Sequence, residues 1–341
     1  MENISGNAIL IRDLNINLVR KVLKFKKNAT KQQIAEASGL SIVTVGTVLK
    51  YLLKQNEVFE AQLSPSNGGR PAQNYRYNDN FELILILFPY EKDGNIIIHS
   101  VVVNLFGECV FETNNVVEDV ELKSFEQAIE PMVISYPAVK SIGFGHPGIE
   151  INGQIINSDY KNLIGTSFVE HFSNLYHMPV IVENDANAAV IGFRRRKELA
   201  EDCNMAYLYF PDKHPPGAGI FINGKLIKGK KNYAGEISAM PLGIKWKEVI
   251  HESFDLINES ISKLIISICS ILNPDIIVLN GNFLKKEHLT AISQNCNNYL
   301  SDNILPDIML SDNFIADYQS GLISQTFSRL EQDIVITRKF R

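Results

Sequence analysis

The stretch PVIVENDANAA, residues 179–189, decides the architecture of this chain. Three β-branched residues follow a proline and read as a short buried strand. Glu183, Asn184 and Asp185 then break the apolar run, and an alanine-rich segment suited to a helix begins. A strand feeding directly into a helix is the repeating unit of α/β folds. In open α/β sheets ligands sit beyond the carboxyl ends of strands, where a carboxylate can act as general base toward a sugar hydroxyl. The commoner role of such an Asn-Asp pair is to cap the following helix.

The flanking sequence repeats the alternation. FELILILF (81–88), bounded by Pro89, IIIHSVVV (96–103) and ECVFE (108–112) read as a strand meander with Gly94 and Gly107 in its turns. A helix is expected near 124–134, a strand into a glycine turn at SIGFGHPG (141–148), and a helix at 167–177. Strands are expected at AYLYF (206–210) and GIFING (219–224), with a hairpin turn at Asn223-Gly224. A long helix at 252–272 leads through Asn273-Pro274 into DIIVLNG (275–281). Two such sets imply an α/β body of two lobes.

The first eighty residues differ. Apolar residues Leu10, Leu14, Leu18, Val22 and Phe25 recur at helical spacing. Thr30 with Gln33 three positions later forms a capping box before KQQIAEAS, and Gly39 suits the stop of that helix. Ser41 caps a third helix, IVTVGTVLKYLLKQ. Two short helices around ASGLS make a helix-turn-helix, whose second member enters the major groove. Its expected reading face comprises Ser41, Thr44, Val45 and Thr47, with Lys50 near phosphate. Residues 57–78 read as two strands forming a wing, with Gly68-Gly69-Arg70-Pro71 at its tip. Gly69 and Arg70 are expected on DNA, the arginine in a narrow A·T-rich minor groove.

Charge agrees with this division. Residues 1–80 hold 11 Lys and Arg against 6 Asp and Glu, whereas the whole chain carries a net charge of −5. A basic head on an acidic body suits a polyanion-binding module joined to a small-molecule domain. With 341 residues, two or three domains are expected. No run reaches the roughly 18 apolar residues of a membrane span, and the start lacks the pattern of a secretion signal, so a cytoplasmic location is expected. Cys109, Cys203, Cys269 and Cys296 have no CxxC spacing and read as small core residues.

SIGFGHPG, Asn162-Leu163, PVIVENDANAA, INGKLIKG (222–229), Tyr233-Ala-Gly-Glu-Ile and LNPDIIVLNG (272–281) together resemble the ROK (Repressor, ORF, Kinase) family. With the GGRP wing, the likeness is to its repressor branch, which includes xylose-type sugar regulators. The resemblance implies an N-terminal winged helix-turn-helix and a two-lobed actin/hexokinase-like, ribonuclease H-like body. The expected divisions are 1–78 for the head, 79–190 for the first lobe and 191–314 for the second, with a C-terminal helix at 315–335 returning to the first. The resemblance further implies a sugar site of Asn162, Asn184, Asp185 and Glu236, with Asp185 at the catalytic-base position of kinase members. All four can hydrogen-bond hydroxyls.

Departures from the family pattern bear on chemistry. The DxGGT phosphate loop of kinase members corresponds to Lys92-Asp93-Gly94-Asn95-Ile96. The second loop, GTGxGxG, corresponds to residues 213–219, where Pro215 and Pro216 remove amide donors. ATP binding is therefore expected to be absent, and Asp185 vestigial. The family's zinc ligands are missing: Ala239 replaces the histidine, and the cysteine segment becomes MPLGIKWKEVIHES (240–253). No metal and no cofactor are expected. Glu248 or Glu252 is a candidate to replace a lost acidic contact, and Trp246 either stacks on a sugar or anchors the core.

The expected function is a DNA-binding transcriptional regulator, a repressor of carbohydrate-utilisation genes. Its expected partners are double-stranded operator DNA, a sugar or sugar-derivative effector, and a second copy in a homodimer or dimer of dimers. The alternatives are an ATP-dependent sugar kinase and a ligand-independent DNA-binding protein whose body only dimerises.

Overall fold

The computed structural model describes residues 3–63, 71–301 and 303–330, and side chains from residue 10 onward. The head starts with α1 (Asn3–Lys26), β1 (Asn28–Thr30), α2 (Lys31–Ser38) and α3 (Ile42–Lys54). It closes with β2 (Val58–Ala61) and β3 (Asn74–Tyr77), in sheet order β1-β3-β2. Thr30 and Gln33 form the capping box, and Gly39 stops α2 at φ 72° in the left-handed region. The tip residues Gly69 and Arg70 lie outside the described residues.

The face of α1 that packs is not the expected one. Ile16, Val19 and Leu23 are buried against α2 and α3, whereas Leu10, Leu14 and Phe25 are exposed. The helix carries two apolar stripes, and periodicity alone does not say which one meets a neighbour. Beneath the head core, Glu57 is 1% exposed and receives Arg20 at 2.5 and 2.7 Å and the Tyr77 hydroxyl at 2.8 Å.

The first lobe begins with β4 (Leu83–Lys92), β5 (Asn95–Asn104), β6 (Cys109–Val117), α4 (Leu122–Ser135) and β7 (Val139–His146). It continues with β8 (Gly148–Ile151), β9 (Gln154–Ser158), α5 (Phe168–Tyr176) and β10 (Val180–Asn184). Its main sheet runs β10-β7-β4-β5-β6. β4 does not stop at Pro89, as the sequence suggests, but pairs with β5 through Lys92. Leu83 N donates to Ala138 O, so by alternation residues 85, 87 and 89 also point their nitrogens toward β7. Pairing with β7 ends at Leu87, and the missing N–H of Pro89 costs no ladder bond.

The second lobe is built from α6 (Asp185–Arg196), β11 (Met205–Tyr209), β12 (Gly217–Ile222), β13 (Lys225–Leu226), α7 (Trp246–Val249), α8 (Phe254–Leu272), β14 (Ile276–Asn280), α9 (Lys286–Asn297) and β15 (Asp307–Leu310). Its sheet runs β13-β12-β11-β14-β15. α6 runs through residues 190 and 191 without a break, so the expected division there falls inside a helix. Helix α10 (Phe314–Leu330) packs on β4, β7 and β10 and crosses α6. The crossing is close: a Cβ on Gly192 would meet Asp317 O at 1.7 Å, and one on Gly321 would meet Ala188 O at 1.8 Å.

Trp246 is buried against Phe210, with ring centroids 5.6 Å apart, and so anchors the core of the second lobe. Cys269 and Cys296 are core residues as expected, but Cys109, at the start of edge strand β6, is exposed. No single described helix is long and apolar enough to cross a membrane.

Candidate functional site: a carboxylate cluster in the body and an exposed helix on the head

Strand β10 ends at Asn184, and Asp185 follows at the start of α6. Asn184 caps α6: its Oδ1 accepts Asn187 N at 3.2 Å, and its Nδ2 donates to Gly148 O at 3.2 Å. Asp185 opens the helix, with Oδ1 accepting Ala186 N at 2.8 Å. It retains some accessible surface but lies deep among protein atoms. Burial pushes its carboxyl up to about 7, and the nearby carboxylates Asp159 and Glu236 push the same way, against the Ala186 amide.

Glu236 is placed by Gly235, whose φ of 96° and close approach to Ala218 O, 2.0 Å from where a Cβ would stand, admit only glycine. Burial, then Asp159, raise the Glu236 carboxyl above its usual value. Asp159, Asp185 and Glu236 therefore form one electrostatic cluster, with Tyr160 and Tyr209 beside Asp185. His146, at the end of β7, is buried and hydrogen-bonds Asn157 O at 3.2 Å. Burial depresses its ring to about 4, so it is neutral at pH 7. Such a group of carboxylates and hydroxyls accepts hydrogen bonds from a polyol.

Asn162 is held elsewhere. It is exposed on a short 3-10 turn, and its Nδ2 donates to Asp119 Oδ2 at 2.7 Å. The sequence also did not single out Asp159, Glu91 or His214. His214 Nδ1 lies 2.9 Å from Asp159, and its Nε2 lies 4.0 Å from Glu91 at the end of β4. Lys213 also pairs with Glu91. The loop between β11 and β12 is thus fastened to the first lobe. The only earlier signal was the replacement of a glycine loop by Lys213-His214-Pro215-Pro216.

The other loop is closed as well. Lys92 pairs with Asn95, leaving Asp93 and Gly94 as a two-residue hairpin turn with φ of 51° and 78°. A cavity of about 490 Å³ opens beside edge strand β10, lined by Glu150, Glu183, Lys228 and Gln325 among others. None of Asp159, Asp185 and Glu236 lines it, so the cavity is separate from the carboxylate cluster.

On the head, α3 is capped by Ser41, whose Oγ accepts Thr44 N at 3.0 Å. Ser41, Thr47 and Lys50 are exposed and Thr44 half-buried. Val45 is fully buried in the head core, which removes it from the expected reading face. The helix turns 100° per residue, so Val45 falls on the side of Val48, Leu49 and Leu52, and Val43 is the residue that faces out.

Residues 102–245 match the ROK family. The xylose repressor of Caldicellulosiruptor bescii is 29% identical over 246 residues, 68% of this chain and 59% of that relative. The chain thus spans about three fifths of that relative's length. A solved ROK family transcriptional regulator, a homologue of the E. coli MLC protein, superposes with a TM-score of 0.68 at 16% identity. That superposition covers 94% of this chain and 98% of the other. A ROK family glucokinase from Streptomyces griseus, solved with glucose and AMPPNP, gives 0.53 at 16% identity over 72% of this chain and 99% of that one. The matched segment is confined to residues 102–245, and the paired five-stranded sheets share the mixed α/β fold of these solved ROK family proteins.

Proposed function

We propose that this chain is a DNA-binding transcriptional regulator, a repressor of carbohydrate-utilisation genes, whose two-lobed body senses a sugar or sugar derivative. The observation that carries the reading is the exposed third helix of the head, joined to a body in which the β4–β5 phosphate loop has become a two-residue turn. The names of the similar xylose repressor and of the solved transcriptional regulator support the reading. On this reading Ser41, Thr44, Thr47 and Lys50 contact DNA through α3, and Gly69 and Arg70 through the wing. Asn184, Asp185 and Glu236 receive the effector, together with Asn162 once it is released from Asp119. The head covers residues 1–78, the first lobe residues 79–184 together with α10, and the second lobe residues 185–313.

The kinase alternative is opposed by the same geometry. A phosphate loop needs converging free amides, whereas the β4–β5 turn is closed by its ladder and the β11–β12 loop carries two prolines and a clasp to Glu91 and Asp159. The reading is tested by selecting duplexes from randomised DNA with the purified chain and measuring binding with and without a sugar and phosphosugar panel. Expected are a specific site, weaker binding by Arg70→Ala, and a shift in affinity with one sugar. Sugar-dependent ADP formation from ATP, abolished by Asp185→Asn, would overturn it in favour of the kinase.

A further inference from the structure

The helix assigned to the groove presents carbon rather than polar atoms. Ser41 Oγ lies 2.8 Å from Thr44 Oγ1 and accepts Thr44 N. Thr47 Oγ1 donates to Val43 O at 3.1 Å. Each hydroxyl in the first two turns of α3 is thus engaged with the helix itself. What stands out is Val43, 80% exposed, with Ile42 beside it at 56%. A single exposed apolar side chain is ordinary, but two adjacent β-branched ones at the tip of a helix form a small apolar surface left in water.

The rest of the stripe identifies what covers that surface. Thr47, Lys50 and Lys54 stand four, seven and eleven residues after Val43, and all are exposed. That spacing places them with Val43 on one side of α3. The matching partner combines anionic groups with a small apolar protrusion about two to three helix turns away. An apolar protein patch would leave Lys50 and Lys54 unmatched. The DNA major groove supplies both features, because phosphates line it and the thymine C5-methyl is the apolar group on its base edges.

We propose that Val43, flanked by Ile42, reads a thymine in each half-site by packing against its C5-methyl group. Lys50 and Lys54 hold the adjacent phosphates. The inference rests on the DNA-binding reading above and goes further by naming the base and the atom recognised. It also gives Ser41, Thr44 and Thr47 a different part: they fix the helix start, and Val43 discriminates.

The test uses the full chain and the duplex it selects from randomised DNA. Each thymine is replaced in turn by 2′-deoxyuridine, which removes only the methyl group. One replacement per half-site is expected to weaken wild-type binding about fourfold, the equivalent of ~0.8 kcal/mol for one buried methyl-sized group. Val43→Ala is expected to bind the thymine duplex weaker by a similar factor and to lose its response to that uracil. Val43 is exposed, so the melting temperature of the variant should match the wild type. Equal wild-type affinity for every uracil duplex overturns the proposal. So does Val43→Ala losing the same factor on thymine and uracil duplexes, which would place Val43 in a contact between proteins. If no duplex is selected at all, the DNA-binding reading falls and takes this inference with it.

Discussion

Nδ1 of His214 lies 2.9 Å from Oδ1 of Asp159, so the β11–β12 loop of one lobe is tied to the other lobe next to the carboxylate cluster. The hydrogen bond to Asp159 is the largest influence on the ring and raises it above 6.5. Burial opposes this, Asp159 and Glu91 add to it electrostatically, and Lys247 works against it. A histidine raised in the folded state stabilises fully below its unfolded value near 6.5, and that contribution fades as pH climbs through the raised value. His214→Ala should therefore melt below wild type at pH 6, by roughly 1 kcal/mol for a half-exposed pair, and close to it at pH 9. Thermal denaturation at the two pH values decides. An equal gap at both would mean that the ring contributes packing alone.

Asp185 has the opposite consequence for stability. Its carboxyl is raised to about 7 by burial and by Asp159 and Glu236. The folded state therefore holds a proton that the unfolded state releases near 3.8, and stability is lost as pH rises from about 4 to 7. Asparagine keeps an oxygen for the Ala186 amide and carries no charge to desolvate. Asp185→Asn should be more stable than wild type at pH 8 by on the order of 2 kcal/mol, with the gap closing by pH 4. Denaturant titrations at both values measure this, and a destabilised variant at pH 8 would show that the charge is compensated in place.

On the proposed reading, the same carboxyl would set the pH dependence of effector binding. A polyol hydroxyl donates more strongly to a carboxylate than to a carboxylic acid. With Asp185 near 7, the affinity of a neutral sugar should rise from pH 6 to pH 8, several-fold at most. Calorimetry with any sugar that shifts the melting temperature provides the measurement. In Asp185→Asn the trend should vanish, and a trend that persists would assign the proton to another group.

The sequence made some of this visible and hid the rest for physical reasons. Strand β10, helix α6 and the caps at Thr30, Ser41 and Gly39 were legible because turn and cap chemistry is local. The two-residue turn at Asn223-Gly224 was legible for the same reason, with φ of 50° and 75°. The buried face of α1 was not, because both of its stripes are apolar and only tertiary contact chooses Ile16, Val19 and Leu23. Val45 and Val43 differ by only two residues but by 200° around a helix, so a two-residue error in sequence exchanged core for surface. The His214–Asp159 clasp joins residues far apart in sequence, and neither side chain announces its partner.

The head should be sensitive at Glu57. This carboxylate is almost wholly buried and is held by Arg20 and by the Tyr77 hydroxyl. Glu57→Ala leaves the Tyr77 hydroxyl and Arg20 without that acceptor; Arg20 is one third exposed and can turn to water, so the loss should be about 1–3 kcal/mol. Because the head has its own core, the loss should appear as a lower-temperature transition of the head, with the body's transition retained. Calorimetry resolves the two, and a single shifted transition would mean that head and body unfold together.

Helices α6 and α10 cross at backbone distance. At Gly321 an added methyl would stand 1.8 Å from Ala188 O, and at Gly192 it would stand 1.7 Å from Asp317 O, both backbone atoms that cannot rotate away. The crossing is pinned by Asp317, which is fully buried and bonded to Arg196 at 2.5 Å, to the Tyr207 hydroxyl at 3.1 Å and to Ser311. Helices forced apart by one methyl group must either separate, losing the contacts of Tyr318 and Leu322 beneath them, or strain their backbones. Overpacking of this kind costs about 1–3 kcal/mol where neighbours can yield, and here they are main chain. Gly321→Ala should therefore lose at least the upper end of that range in denaturant titration, whereas Ser324→Ala, which removes one hydrogen bond from Arg195 of α6 without adding a methyl group to the crossing, should lose under 1 kcal/mol. Near-equal losses in the two variants would show that the helices shift apart freely, and the crossing would then be a sliding contact rather than a fixed one.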